Sequence, residues 1–203
     1  MSDLFDHKAD EWDKQSIPQQ LSKTIGPAII ENIELRPEME VMDFGAGTGL
    51  LTSHIAPLVK SVTAVDVSAA MLDQLTAKPA LKEKVTACCQ DILHEPLDKK
   101  FDLIISAMAI HHVKETALLL QSFADHLKPG AQIALADLDT EDGNFHPPET
   151  QGVFHLGFDR EAFSLFLQEA GFEEIRFLTA HIIEKDGTDF PVFLVLARKK
   201  EAA

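Results

Sequence analysis

The 203-residue chain has no tyrosine, one tryptophan and two cysteines. Without tyrosine no phenolate can serve as a base, so proton chemistry must come from His, Asp, Glu or Lys. Cys88 and Cys89 are neighbours; on a strand they point to opposite faces, which reads as reduced core residues rather than a disulfide. Basic residues are scarce, with 18 Lys and Arg against 33 Asp and Glu for a formal charge of −15. A field of that sign opposes nucleic-acid phosphates and anionic membranes, so neither is expected as a partner. The longest apolar run, Leu103 to Ile110, is too short to span a bilayer and is broken by Ser106. Ser2, Asp3, Asp6 and His7 interrupt any apolar start, so no secretory signal is expected and the chain reads as cytoplasmic. Repeats, low-complexity tracts and interdomain linkers are also missing. A composition of 45% apolar and 25% charged residues suits one α/β domain over 1–203 with a full core.

What is present centres on VMDFGAGTG, Val41 to Gly49. An apolar run climbs to Asp43, and Gly45, Gly47 and Gly49 follow at alternate positions. Such glycines let the backbone turn sharply and let a ligand lie against bare main chain. The N–H groups that open the next helix then point at that ligand. Two details narrow the ligand. The dinucleotide fingerprint would need a third glycine where Leu50 stands, and a P-loop would need Lys after Gly49. Asp43 would repel a pyrophosphate and favour a cation. S-adenosylmethionine, with a sulfonium, an ammonium and no phosphate, fits better than NAD. A second apolar strand, SVTAVD, ends at Asp66, close to the roughly 20-residue spacing at which an acid meets ribose hydroxyls.

Periodicity and punctuation place helices at 3–15 and 18–34, the second opened by Pro18 in its first turn. Strands are expected at 39–44, 61–66, 84–89, 101–107 and 131–138. Helices between them fall near 49–57, 68–77 and 114–127, the last closed by Lys128-Pro129-Gly130. A helix at 159–170 is capped by Asp159 and stopped by Gly171. Its Phe163, Phe166, Leu167 and Ala170 repeat at helical spacing and read as core. Strands at 173–183 and 190–198 are joined by the turn-rich EKDGTD. Alternation of this kind gives a doubly wound, mostly parallel sheet.

With these residues in view, the chain resembles the class I S-adenosylmethionine-dependent methyltransferases, of the small-molecule type similar to ubiquinone/menaquinone-biosynthesis enzymes. VMDFGAGTG, AVDVSAAML, CCQDI, FDLIISAMAIHHV and LKPGAQIALAD carry the resemblance, in order, over residues 39 to 138. FDHKADEWD, Phe5 to Asp13, is similar to the segment that precedes the first motif. The resemblance implies a seven-stranded Rossmann-like sheet closed by an antiparallel C-terminal strand pair. It also implies N-terminal helices, 1–35, lying over the site. The cofactor residues it implies are Asp43, Gly45, Ala46 and Gly47 in the turn, Asp66 and Val67 after the second strand, and Met71, Asp91, Ile92 and Ala107. Asp91 would accept from the adenine amino group and Ile92 would face the ring, while the Met71 thioether suits an aromatic surface and can equally be core.

Ser106, Ala107 and Ala109 are small enough to leave room for a methionine arm, and His111 and His112 follow them. Methyl transfer is an in-line displacement, so the protein chiefly holds the acceptor about 3 Å from the methyl. A base is needed only when the acceptor must lose a proton, and a neutral imidazole suits that task. His111 and His112 are therefore the candidate catalytic residues; hydrogen-bonding a loop is their structural alternative. The segment 139–158, long and irregular, is expected over the acceptor pocket with His146 and His155. Its acids do not make a calcium loop: from Asp137, position six is Asp142 and position twelve is Pro148. Magnesium-using relatives need an acid where Ser106 and Ala107 stand, so no metal is expected. The resulting expectation is methyl transfer from S-adenosylmethionine to a small-molecule acceptor, with S-adenosylhomocysteine as product. A non-catalytic S-adenosylmethionine-binding protein would keep the same motifs, and a NAD-dependent oxidoreductase would share the sheet.

Overall fold

The structure is a computed structural model that describes residues 6–201, apart from the side chain of His7. Its strands are β1 Glu40–Phe44, β2 Ser61–Asp66, β3 Val85–Cys89, β4 Phe101–Ala107, β5 Leu127–Leu138, β6 Phe172–Lys185 and β7 Thr188–Lys199. They form one seven-stranded sheet in the order β3-β2-β1-β4-β5-β7-β6. The first five are parallel, and β7 runs antiparallel between β5 and β6. From β1 the chain winds outward through β2 to β3 and returns to β4 on the other side of β1. The order therefore reverses between β1 and β4, and a ligand crevice opens beyond their carboxyl ends.

The helices are α1 Ala9–Trp12, α2 Ser16–Asn32, α3 Thr52–Ile55, α4 Ala69–Ala77, α5 Thr116–His126 and α6 Arg160–Glu169. Strand alternation sorts the core into two layers. Val41, Val62 and Leu103 face Ile25 and Ile29 of α2, Ile55 of α3 and Leu72 of α4. Met42, Ile104 and Ile133 face Leu120 and Phe123 of α5 and Phe163 and Leu167 of α6. Because the inner parallel strands β1 and β4 are covered on both faces, they read as near-continuous apolar runs. Ser68 caps α4 by accepting from the Met71 N–H, and Asp159 caps α6 by accepting from the Ala162 N–H, each worth about 1 kcal/mol.

The structure corrects several boundaries. The helix expected at 3–15 is a 3-10 turn, Asp6–Lys8, followed by the single turn α1. Residues 3–5, with Phe5 of the FDHKADEWD segment, lie outside the described residues. Pro18 is the third residue of α2, where its missing N–H still costs no intrahelical bond. The helix expected at 49–57 shrinks to α3 and a 3-10 turn, Ala56–Leu58, because Gly49 holds φ +79° and Pro57 interrupts the other end. Lys128-Pro129-Gly130 does not close α5 but bulges within β5, which pairs Leu127 with Phe101 and resumes at Gln132 opposite Leu103. Phe166 and Cys89 are exposed, the one on the outer side of α6 and the other on the outermost strand. Asp186 and Gly187, both at positive φ, make the two-residue turn between β6 and β7.

Candidate active site

The turn after β1 is pinned at both shoulders. Gly45 and Ala46 donate to the Val65 carbonyl of β2 at 2.9 and 3.1 Å. Gly45 and Gly47 hold φ +66° and +53°. A Cβ on Gly45 would lie 2.2 Å from Cβ of Ala109, so this glycine is required by the loop after β4. Gly47 differs: a Cβ there would meet nothing within 4 Å. It borders open space with its N–H held by Asp66 Oδ2 at 2.8 Å. The other oxygen of Asp66 accepts from the Ser68 N–H at 2.9 Å. Asp66 thus ties the end of β2 to both the glycine turn and the start of α4.

Asp43 stands behind the turn and is almost fully buried. Its Oδ2 accepts from the Thr52 hydroxyl at 2.5 Å, which braces β1 against the first residue of α3. Burial pushes its carboxyl up to about 7; the Thr52 hydroxyl opposes the rise and the nearby Asp66 charge adds to it. Val67 is 64% exposed, next to Asp66, while Met71 and Ile92 are buried. Asp91 is turned toward its own loop, accepting from Leu93 N–H at 3.0 Å and pairing with His94 Nδ1 at 2.8 Å. Ala107 is half-buried at the end of β4, and Ser106 is fully buried and donates to the Phe44 carbonyl at 2.8 Å.

Beyond β4 a 3-10 turn, Ile110–His112, carries the two expected histidines. Asp137, near the end of β5, organises it. Its Oδ2 accepts from the backbone N–H groups of Ile110 and His111 at 3.0 and 3.2 Å. Oδ1 accepts from Leu138 N–H at 2.8 Å and lies 2.7 Å from His111 Nδ1. His111 is 1% exposed and Asp137 is fully buried. Burial works to lower the His111 pKa, but the charge and hydrogen bond of Asp137 outweigh it and hold the imidazole above its ordinary value. Burial likewise tends to raise Asp137, and the His111 charge and bond keep it low.

On its other side His111 Nε2 lies 3.2 Å from His146 Nε2. The His112 ring is 4.1 Å from that of His111, and its Nδ1 donates to the Gly152 carbonyl at 2.7 Å. Burial, with the His111 charge adding, holds both His112 and His146 down to about 4. Along the sequence, Asp137 stands out only as an acid of metal-ligand type and His146 only as a pocket residue. The available signal was an acid ending an otherwise apolar strand beside the His-His step. Among the described residues, no three His, Cys, Asp or Glu side chains group as metal ligands.

Segment 139–158 folds back over this turn. Phe154 N–H donates to the His111 carbonyl at 3.0 Å, and His155 Nε2 lies 3.0 Å from the Val113 carbonyl. Arg160 clamps the base of the segment, gripping Asp139 with two bonds of 2.7 Å. Lys185 of β6 donates to the Phe145 carbonyl at 2.6 Å. From the other side, the N-terminal segment reaches the glycine turn and α4. Thr48 donates to Asp13 at 2.5 Å, Lys78 pairs with Asp13 at 2.6 Å, and Gln74 donates to Asp10 at 2.7 Å. No helix among the described residues is long and apolar enough to cross a membrane.

A family profile described as a methyltransferase domain matches residues 41–130, from β1 into β5. An uncharacterized methyltransferase of Schizosaccharomyces pombe is 31% identical over 144 residues, covering 63% of this chain and 51% of that protein. An uncharacterized methyltransferase of Bacillus pumilus is 27% identical over 219 residues, covering 98% and 97%. The chain thus spans about half the length of the first relative and nearly all of the second. The phosphoethanolamine N-methyltransferase 2 of Haemonchus contortus, solved with phosphomonomethylethanolamine and S-adenosylhomocysteine, superposes with TM-score 0.72. It is 16% identical, with 87% of this chain and 52% of that one covered, a likeness of fold.

Proposed function

We propose that this chain is a class I S-adenosylmethionine-dependent methyltransferase, as its similarity to the methyltransferase-domain family supports, and that it transfers a methyl group to a small-molecule acceptor in the cytoplasm and releases S-adenosylhomocysteine. The observation that carries the reading is the open space at Gly47, in a turn fixed by the strand-end acid Asp66. A cofactor with hydroxyls and cationic groups fits there, against bare backbone and beside carboxylates. When bound, it supplies an electrophilic methyl on a positively charged sulfur.

The chain's residues divide the work. Each oxygen of the Asp66 carboxylate can accept more than one hydrogen bond, so it can hold ribose hydroxyls while keeping the backbone N–H groups of Gly47 and Ser68. Gly45, Ala46 and Gly47 shape the turn, and Asp43 braces it from behind. Val67 and Met71 line the adenine, with Asp91 accepting from its amino group and Ile92 backing the ring. Ala107 leaves space at the end of β4. His111 and His112 shape the acceptor side, where positioning supplies most of the rate; His111, buried and engaged at both ring nitrogens, acts there through its neighbours.

The test is incubation with methyl-labelled S-adenosylmethionine and a metabolite extract, followed by mass analysis. One compound gaining one labelled methyl is expected. Tight binding of S-adenosylhomocysteine with no labelled product would instead make this a cofactor-binding protein without transfer.

A further inference from the structure

Two surface depressions, one between Ile30, Leu35 and Leu58 and one between Arg160, Leu165 and Phe177, contain none of the residues assigned to cofactor or acceptor. The histidine cluster under segment 139–158 holds more. His111 cannot meet an acceptor itself, because it is buried and both ring nitrogens are engaged, Nδ1 by Asp137 and Nε2 by His146. His146 is half-buried, and its Nδ1 makes no hydrogen bond among the described residues. Close by, Oε1 of Glu141 is a buried acceptor with no partner among the described residues, while Oε2 accepts from the Asn144 and Phe145 N–H groups.

We infer that His146 is the catalytic residue that takes a proton from the acceptor and relays it to the positioning pair His111–Asp137, so that the acceptor's nucleophile is a hydroxyl, thiol or ammonium group. This rests on the methyltransferase reading above. His146 begins with its proton on Nε2, donated to His111 Nε2, and with a lone pair on Nδ1. That lone pair accepts the acceptor's proton as the Nε2 proton passes to His111. The freed electron pair bonds to the methyl carbon, and the carbon–sulfur pair returns to sulfur. The proton comes to rest on His111, as an imidazolium facing the Asp137 carboxylate.

The relay explains how a weakly basic imidazole can serve. Taken alone, His146 is a poor base, since its burial depresses it. The charge, however, does not stay there; it ends on His111, which Asp137 holds above its ordinary pKa. The groups acting on His146 are His111 and His112 after β4, Glu141 of its own segment, which favours its cation, and Lys185 of β6, which opposes it. Phe145 packs edge-on against its ring at 4.8 Å.

The test combines two readouts. Side-chain nitrogen NMR of the histidines, from about pH 5 to 8, should show one coupled transition shared by His111 and His146, with Nδ1 of His111 protonated throughout. Separate transitions, or a His111 carrying its proton on Nε2 only, overturn the relay. With methyl-labelled cofactor and the metabolite extract as probe, His146→Ala and His146→Asn should each lose about 10²- to 10⁴-fold in turnover. The loss should shrink at high pH, and affinity for S-adenosylhomocysteine should be kept. Near-wild-type turnover in both variants, or coupled titration in a protein that methylates nothing, also overturns it. Failure to bind S-adenosylhomocysteine would contradict the methyltransferase reading instead.

Discussion

Gly47 donates its N–H to Asp66 Oδ2 at 2.8 Å, so the acid that ends β2 holds the turn that β1 feeds. Asp66→Ala should therefore act twice. Affinity for S-adenosylhomocysteine should fall by about 1.5–3 kcal/mol, the range for a charge-assisted hydrogen bond. Stability without ligand should also drop, by about 1 kcal/mol for each backbone N–H left without its partner. Titration calorimetry and denaturant melts measure the two separately. Unchanged affinity would place Asp66 outside the site.

The glycines of the turn should part company on substitution. Gly47→Ala places its Cβ in open space and meets only the left-handed backbone penalty, about 1–2 kcal/mol. Its larger effect should be on cofactor affinity. Gly45→Ala drives a Cβ to 2.2 Å from Ala109 and should destabilise the protein more, with or without ligand. Melts with and without S-adenosylhomocysteine distinguish them, and equal ligand effects would show that Gly47 does not border the cofactor.

Much of this was legible in the sequence because the signals were local. The glycine turn, the alternation of β1 through β4, the Asp159 cap and the Asp186-Gly187 turn each depend on a few adjacent residues. What escaped was long-range. Asp137 meets His111 because β5 lies beside β4, with Ala107 opposite Ala136, and no spacing along the chain announces that pairing. His146 joins them only after segment 139–158 folds back. From the sequence Asp43 reads as an acid facing the ligand; its burial against Thr52 is a product of packing. The bulge at Lys128–Ala131 carries the signals of a helix stop, and only register shows that it lies within a strand.

The His111–Asp137 pair should leave a pH signature. His111 has a raised pKa, so its contribution is complete below the ordinary imidazole range and is lost as pH rises through the shifted value. Asp137 has a lowered pKa, so its contribution is present above the ordinary carboxylate range and is lost as pH falls through its own. Asp137→Asn should cost about 3–5 kcal/mol between those limits, since it strips a buried histidine of its partner. Urea melts across pH check this; a cost independent of pH would assign the loss to packing alone.

Asp43 should show a slope opposite to that of Asp137. Its pKa, raised to about 7, means the folded state holds a proton that the unfolded chain has released above about 4. Its contribution therefore weakens as pH rises from about 4 to 7. Asp43→Asn should flatten that part of the stability profile, and a slope unchanged by the substitution would contradict the burial of this acid.

Asp13 receives Thr48 from the glycine turn and Lys78 from the end of α4. These bonds are partly exposed, so Asp13→Ala should change ligand-free stability by less than about 1 kcal/mol. It should speed dissociation of S-adenosylhomocysteine, measured by stopped-flow, because the N-terminal segment is no longer fastened to the turn. An unchanged dissociation rate would show that this segment does not gate the cofactor.

Thermal melting reports whether the crevice beyond β1 and β4 takes S-adenosylmethionine and its product. A ligand that binds the native state alone stabilises it by mass action, about 2.7 kcal/mol at a concentration one hundred times its Kd. For a chain of this size that corresponds to a rise of roughly 5–10 °C in Tm. S-adenosylhomocysteine should give that shift in the native protein and little in Asp66→Ala, while NAD at the same concentration should give none. A shift with NAD and none with S-adenosylhomocysteine would instead make the crevice a dinucleotide site.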